Sequence, residues 1–239
     1  MSKSIKTGAF AQDIYKQSAT QLEELDTVRI LPDGRMFAYA QAGASDLAAA
    51  LLTISAAPTD NAKDETLAAS AAIGDTYLSV TFGTAMTADY FKDGWVWPND
   101  DTGEGSLYRV REHAAGTTAV KVYLKEPVRV AMTAGATTIS AVVNRQKLVV
   151  LSTFAQTAPV AGVPPIAVTA GYYFWNQVKG PCVCLVSGTV VIGDQVGQIA
   201  TAGAMTPLGA NDVIGSLGVA LKVTATTEYG LFALSVPGY

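Results

Sequence analysis

Charge is scarce in this sequence. Asp, Glu, Lys and Arg make up 15% of its 239 residues, against about 25% in typical soluble domains. The formal net charge is −4, and the 16 Lys and Arg residues are scattered. No basic stripe of the kind that tracks a phosphate backbone results, so nucleic acid is not an expected partner. A basic amphipathic helix for a membrane surface is also missing. No uninterrupted apolar run approaches the roughly 18 residues of a transmembrane helix. Residues 1–6 carry charge but lead into no apolar core, so no signal peptide is expected. Histidine occurs once. His113 ends the charged run 109–113 and reads as a solvated strand terminus rather than a general base. There is no G-x-S-x-G, no Walker loop and no G-x-G-x-x-G before a helix. Neither an enzyme nor a cofactor is expected.

Cysteine is nearly as rare. Cys182 and Cys184 are the two. On a strand they share a face, with Cα atoms about 6.6–6.8 Å apart, at the edge of disulfide reach. Two buried, reduced thiols acting as small hydrophobes are expected. The alternative, half of a metal site, lacks further ligands nearby. The densest run of acids is the loop 99–105, Asn-Asp-Asp-Thr-Gly-Glu-Gly. Its oxygens suit Ca²⁺, but the spacing is not that of an EF-hand, and a long hairpin loop is the plainer reading.

What the chain does have is short β-branched and aromatic runs between Gly, Pro and Asp turns. These mark an all-β protein. Residues 28–40 read as a hairpin across Pro32-Asp33-Gly34. Around residues 76–82, Leu78, Val80 and Phe82 alternate with Ser79 and Thr81, as in a half-buried strand. Further strands are expected near 95–97, 107–113, 118–124, 128–132, 139–143 and 148–151. The stretch 152–170 carries Pro159, Gly162, Pro164 and Pro165 and reads as a linker. The expected organisation is therefore an N-terminal arm (1–27), an N-terminal β domain (28–151), a Pro-rich linker (152–170) and a C-terminal β domain (171–239).

In the dense run 172–175, Tyr172 and Phe174 point to one side of a strand, Tyr173 and Trp175 to the other. Both sides are apolar. One must face the unit's own core and the other a neighbouring unit or subunit. Residues 1–27 are polar, with isolated Phe10, Ile14, Tyr15, Leu22 and Leu25. They read as a disordered terminus or as an arm that is mobile alone and orders on a partner. Phe10, Ile14, Tyr15, Leu22, Leu25, Tyr173 and Trp175 are accordingly the candidate contacts to a partner or to another subunit. Trp95 and Trp97, at i and i+2, share a strand face and have the geometry of a carbohydrate platform. Core or interface burial is the competing reading.

A resemblance extends this reading. Gly193-Asp194, Ala202-Gly203-Ala204, Ile214-Gly215, Val219-Ala220 and the closing run 230–234 are similar to the β-barrel-like core of head-decoration (cement, or auxiliary capsid) proteins of tailed bacteriophages. Arg29-Ile30-Leu31-Pro32-Asp33-Gly34-Arg35, followed by Phe37-Ala38-Tyr39-Ala40 and Ala42-Gly43, resembles the N-terminal module of phage structural proteins of this type. So does Gly94-Trp95-Val96-Trp97, leading to Tyr108-Arg109-Val110. The matches touch most of residues 28–236. The resemblance implies a β-barrel-like C-terminal domain and a strand, rather than the helix its Ala content favours, within 46–54. It also implies a virion structural protein made in the host cytoplasm and carried on the capsid exterior. The major capsid protein would be its partner and a homotrimer its assembly. A receptor- or glycan-binding virion module is the alternative.

Overall fold

The computed structural model describes residues 10–153, 157–198, 201–209 and 215–239. Residues 10–57 form β1 (Val28–Ile30), β2 (Met36–Gln41) and β3 (Thr53–Ile54). Residues 58–144 form β4 (Glu65–Ala69), β5 (Tyr77–Thr81), β6 (Trp95–Asp100), β7 (Tyr108–His113), β8 (Val120–Leu124) and β9 (Thr138–Val142), after a 3-10 turn at Asp60–Ala62. Residues 145–239 form β10 (Val150–Leu151), β11 (Val160–Gly162), β12 (Tyr173–Leu185), β13 (Gln195–Gly197), β14 (Thr206–Pro207), β15 (Gly218–Ala220) and β16 (Tyr229–Ser235). The protein is all-β, with a closed barrel.

The chain divides differently from the order read in the sequence. Unit 1 combines residues 10–57 with 145–239, and unit 2 is residues 58–144. The closed barrel is unit 2, in the strand order β4-β5-β8-β7-β6-β9. Closure leaves no free sheet edge there. Leu67, Leu78, Val80, Val96, Tyr108, Val110, Val122 and Ile139 are buried in it. The stretch 128–132 is not a strand; Met132 makes only an isolated bridge to Ala71.

The Pro-rich stretch is part of unit 1, not a linker. Its prolines lack N–H groups, but their carbonyls accept. Ala50 N donates to Pro164 O at 2.8 Å and Ser55 N to Pro159 O at 2.9 Å. Strand β11 pairs with β3, and Thr53 Oγ1 donates to Gly162 O at 2.8 Å.

Unit 1 is built on β12, which lies between β2 and β16 in the sheet β1-β2-β12-β16-β15-β13-β14. Its first half pairs with β2 and its second half with β16, with a register shift at Gln177/Lys179. Just past that shift, Gly180 has φ +88, and a Cβ there would stand 2.9 Å from Arg35 Cα. Only glycine combines that backbone angle with that approach. The hairpin expected at 28–40 is present, Ile30 opposite Met36, with Gly34 at φ +85 in its turn.

Alternation along the start of β12 is as the sequence implies. Phe174 packs with Ala40, Leu47, Val149 and Val168, whereas Trp175 packs with Phe37, Tyr39, Ile14 and Leu25. Both faces are covered within unit 1. The cover over Trp175 is the N-terminal segment itself. Trp175 Nε1 donates to Gln12 O at 3.0 Å, and Tyr39 Oη donates to Gln12 Oε1 at 2.8 Å. From residue 10 onward the expected mobile arm is therefore an integral layer of the fold; residues 1–9 lie outside the described residues. The C-terminus is tied down beside it. Tyr239 Oη donates to Asp26 and accepts from Gln146 Nε2 at 2.9 Å, with the Arg145 guanidinium 5.4 Å from its ring centre.

Candidate functional site: an exposed apolar sheet face

The second half of β12, with β16 and β15, buries one face and exposes the other. Cys182 lies opposite Phe232, and Phe232 opposite Ala220, all inside the core of unit 1. The residues between them point outward. Val183 is opposite Leu231, Leu185 opposite Tyr229, and Pro181 opposite Ala233, which in turn faces Val219. Leu221 N donates to Leu231 O at 2.9 Å, which continues the row. Val219, Leu231, Leu221, Val183 and Tyr229 are 37–57% exposed. The charge among these paired positions is Lys179, opposite Ser235 at one end. An outward strand face normally alternates to polar residues. Here the alternation runs apolar to apolar, so the face is dry-natured yet uncovered. Contiguous exposed apolar surface of this kind marks an interaction site.

Next to it, the turn of Val191, Ile192, Gly193 and Asp194 is held by Asp194 Oδ2, which accepts from Val191 N at 2.8 Å. The turn lifts Val191 and Ile192 into solvent. Gly193 N donates to Ala220 O at 3.0 Å, which fastens the turn to the end of β15.

The residues singled out as candidate contacts fall elsewhere. Phe10 sits edge-on to Trp175 with ring centres 5.3 Å apart, and the Arg29 guanidinium lies 4.6 Å from the Phe10 centre. Tyr173 stacks on Tyr39 at 6.1 Å. With Ile14, Leu25 and Trp175 these residues form one cluster. Their apolar surface is spent on one another. Tyr15 and Leu22 stay exposed, and Tyr15 Oη accepts from Arg35 Nη1 at 3.3 Å. The outward face of β12, β15 and β16 was missed because its runs, such as 181–185, look like a strand buried on both sides.

Other candidates resolve as follows. His113 is buried, not solvated. Its Nε2 lies 3.0 Å from Phe91 N, a group that can only donate, so Nε2 accepts and the ring is neutral. Nδ1–H then donates to Ala114 O at 2.9 Å. Cys182 and Cys184 are free buried thiols. Burial pushes both up, Cys184 to about 12. In the acidic loop, Thr102 Oγ1 lies 2.7 Å from Thr137 Oγ1 and accepts from Thr133 N, so the turn is fastened to neighbouring protein. Among the described residues no three His, Cys, Asp or Glu side chains converge as a ligand set, and no helix is long and apolar enough to cross a membrane. Trp95 and Trp97 are half-buried on the outside of the barrel, while Val96 between them and Pro98 after them are buried.

Comparison with family models, with curated proteins and with solved structures finds no match for this chain.

Proposed function

We propose that this protein is a non-enzymatic virion structural protein that docks on the assembled capsid lattice of a tailed bacteriophage and stabilises it. The observation that carries the reading is the uncovered apolar face of β12, β16 and β15. Charge depletion is the compositional mark of interface cores, and this face is depleted in a chain already poor in charge. The sequence resemblance to head-decoration proteins supplies the partner, the major capsid protein, and the assembly, a homotrimer on the capsid exterior.

The mechanism is mass action. A protein that binds the assembled lattice but not free capsid subunits stabilises the lattice by RT ln(1 + [L]/Kd), about 2.7 kcal/mol per site at a hundredfold excess over Kd. Three linked copies would engage as one multivalent unit and dissociate more slowly than a single copy.

The test is co-sedimentation of the purified protein with capsids lacking it, together with antibody labelling of virions in negative stain. Wild type is expected to pellet with capsids and to label the particle surface. Leu231→Glu, which places a charge in the centre of the face, is expected to stay in the supernatant while its circular dichroism is unchanged. Sedimentation velocity on the same variant separates loss of self-association from loss of capsid docking. A wild-type protein absent from particles and indifferent to capsids would overturn the reading.

A further inference from the structure

Unit 2 has an open cleft of about 460 Å³ on the outside of the barrel, within the range of small-molecule sites. One wall is apolar: Trp97 on β6, with Ala141 and Val142 on β9. The other is polar: Asp64, Asn99 and Lys63. We propose that this cleft binds a neutral saccharide, with a pyranose ring seated on Trp97 and its hydroxyls on Asp64 and Asn99.

The polar wall is prearranged. Asp64 N donates to Ser140 Oγ at 3.2 Å, Ser140 Oγ donates to Asn99 Oδ1 at 3.0 Å, and Asn99 Nδ2 donates to Asp64 Oδ1 at 2.5 Å. This closed ring fixes the planes of the carboxylate and the amide. It occupies one carboxylate oxygen and one amide hydrogen. Asp64 Oδ2, 3.8 Å from Lys63 Nζ, is left as an acceptor, and the second amide hydrogen of Asn99 as a donor. A planar acceptor beside a planar donor matches neighbouring hydroxyls of a sugar, each of which donates and accepts.

The apolar wall selects the same class. A pyranose has a face of C–H groups that packs on an aromatic ring and a rim of hydroxyls. Trp97 is half-buried, so its ring is held by the barrel and still open on the cleft side. The register places Trp97 opposite Ser140, so the aromatic platform and the hydrogen-bonded ring rest on adjacent strands of a closed barrel. An anionic ligand would meet the Asp64 carboxylate, and a purely apolar one would leave the fixed polar wall without partners. The cleft lies in unit 2, and the apolar sheet face proposed for capsid docking lies in unit 1, so the two readings stand or fall separately.

The experiment uses the full chain with Trp95→Phe, and follows tryptophan fluorescence and amide NMR shifts. The probes are glucose, galactose, mannose, N-acetylglucosamine and their linear tetrasaccharides at millimolar concentration, with a polyproline peptide alongside. Saturable binding of at least one saccharide is expected, with shifts centred on residues 63, 64, 97 and 99. Trp97→Ala and Asp64→Asn are each expected to weaken it by about tenfold or more. Trp97→Phe keeps a smaller platform and is expected to retain part of the affinity. Capsid co-sedimentation is expected to be unchanged in all three variants. No saturable saccharide binding, or binding with shifts elsewhere, overturns the proposal. So does saturable binding of the peptide alone.

Discussion

Gln12 is the residue through which the N-terminal layer is locked to unit 1. Its side chain is buried and makes three hydrogen bonds. Nε2 donates to Lys16 O at 2.6 Å and to Tyr173 O at 3.1 Å, and Oε1 accepts from Tyr39 Oη at 2.8 Å. Gln12→Ala removes all three and leaves the buried Tyr39 hydroxyl without its acceptor. The two bonds from Nε2 are worth about 1 kcal/mol each net, and the Tyr39 donor left unmatched about 1–3 kcal/mol, so a loss of about 3–5 kcal/mol is expected. Tyr39→Phe deletes the other partner. The double variant is expected to fall short of the sum by about 0.5–3 kcal/mol, since the unmatched hydroxyl is gone. The assay is urea unfolding followed by Trp175 fluorescence with Trp95→Phe and Trp97→Phe in the background, which makes the signal specific to unit 1. A cost for Gln12→Ala below about 0.5 kcal/mol, the range of ordinary surface changes, would refute the reasoning and restore the segment to a dispensable arm. By the same logic, removing residues 1–27 strips the cover from Trp175 and is expected to destabilise unit 1.

Two further outcomes follow. Phe174→Ala is expected to cost about 3–5 kcal/mol, the value for a fully buried phenylalanine, in the same urea assay; a small change would place that side of β12 in solvent. Stability is also expected to fall at alkaline pH. Burial pushes Cys182 and Cys184 up, the latter to about 12, and burial together with Asp26 pushes Tyr239 up. The fold thus holds the neutral forms. Their contribution is fully present below about pH 9, where the unfolded thiols also stay neutral. It is lost above that, at about 1.4 kcal/mol per pH unit for each group. Cys182→Ala with Cys184→Ala is expected to remove the part that begins near pH 9 and leave the tyrosine part near pH 10. A urea midpoint that is flat in wild type from pH 8 to about pH 11 would contradict this linkage.

Much of the architecture was legible because strand signals are local. Turn chemistry at Pro32-Asp33-Gly34 and period-two alternation at residues 78–82 gave strands where the structure has them, and the strand expected near 118–124 is β8. The side assignment of Phe174 and Trp175 followed from the same period. Partition into units was not legible, because it depends on pairing over long sequence distances. Ile54 pairs with Val150 across all of unit 2, and no local pattern announces that. Proline misled in the same way: Pro159 and Pro164 signal a break in ladder donors, yet their carbonyls accept bonds from Ser55 and Ala50. The N-terminal segment looked too polar to fold, because its apolar residues are few. What holds it is a buried glutamine and two aromatic partners more than twenty residues away. His113 showed the converse: a charged neighbourhood in sequence concealed a ring enclosed on both nitrogens.

The antiparallel pairing of Ile54 with Val150 makes the whole barrel an insertion in the loop of one strand pair. During synthesis at about 5–20 residues per second, residues 58–144 take roughly 4–17 s to emerge. Throughout that time Phe37 and Tyr39 have no β12 to pair with, and at its end the barrel has all six of its strands. A barrel that folds first holds its own two ends near one another, since Pro58 and Val142 line the same cleft. The long connection between β3 and β10 then behaves as a short one, and each halving of effective loop length lowers the closure entropy by about 0.6 kcal/mol. Unit 2 would thus act as a folding clamp for unit 1, and its replacement by an unstructured segment of equal length should slow the refolding of β2 onto β12 more than it lowers their final stability.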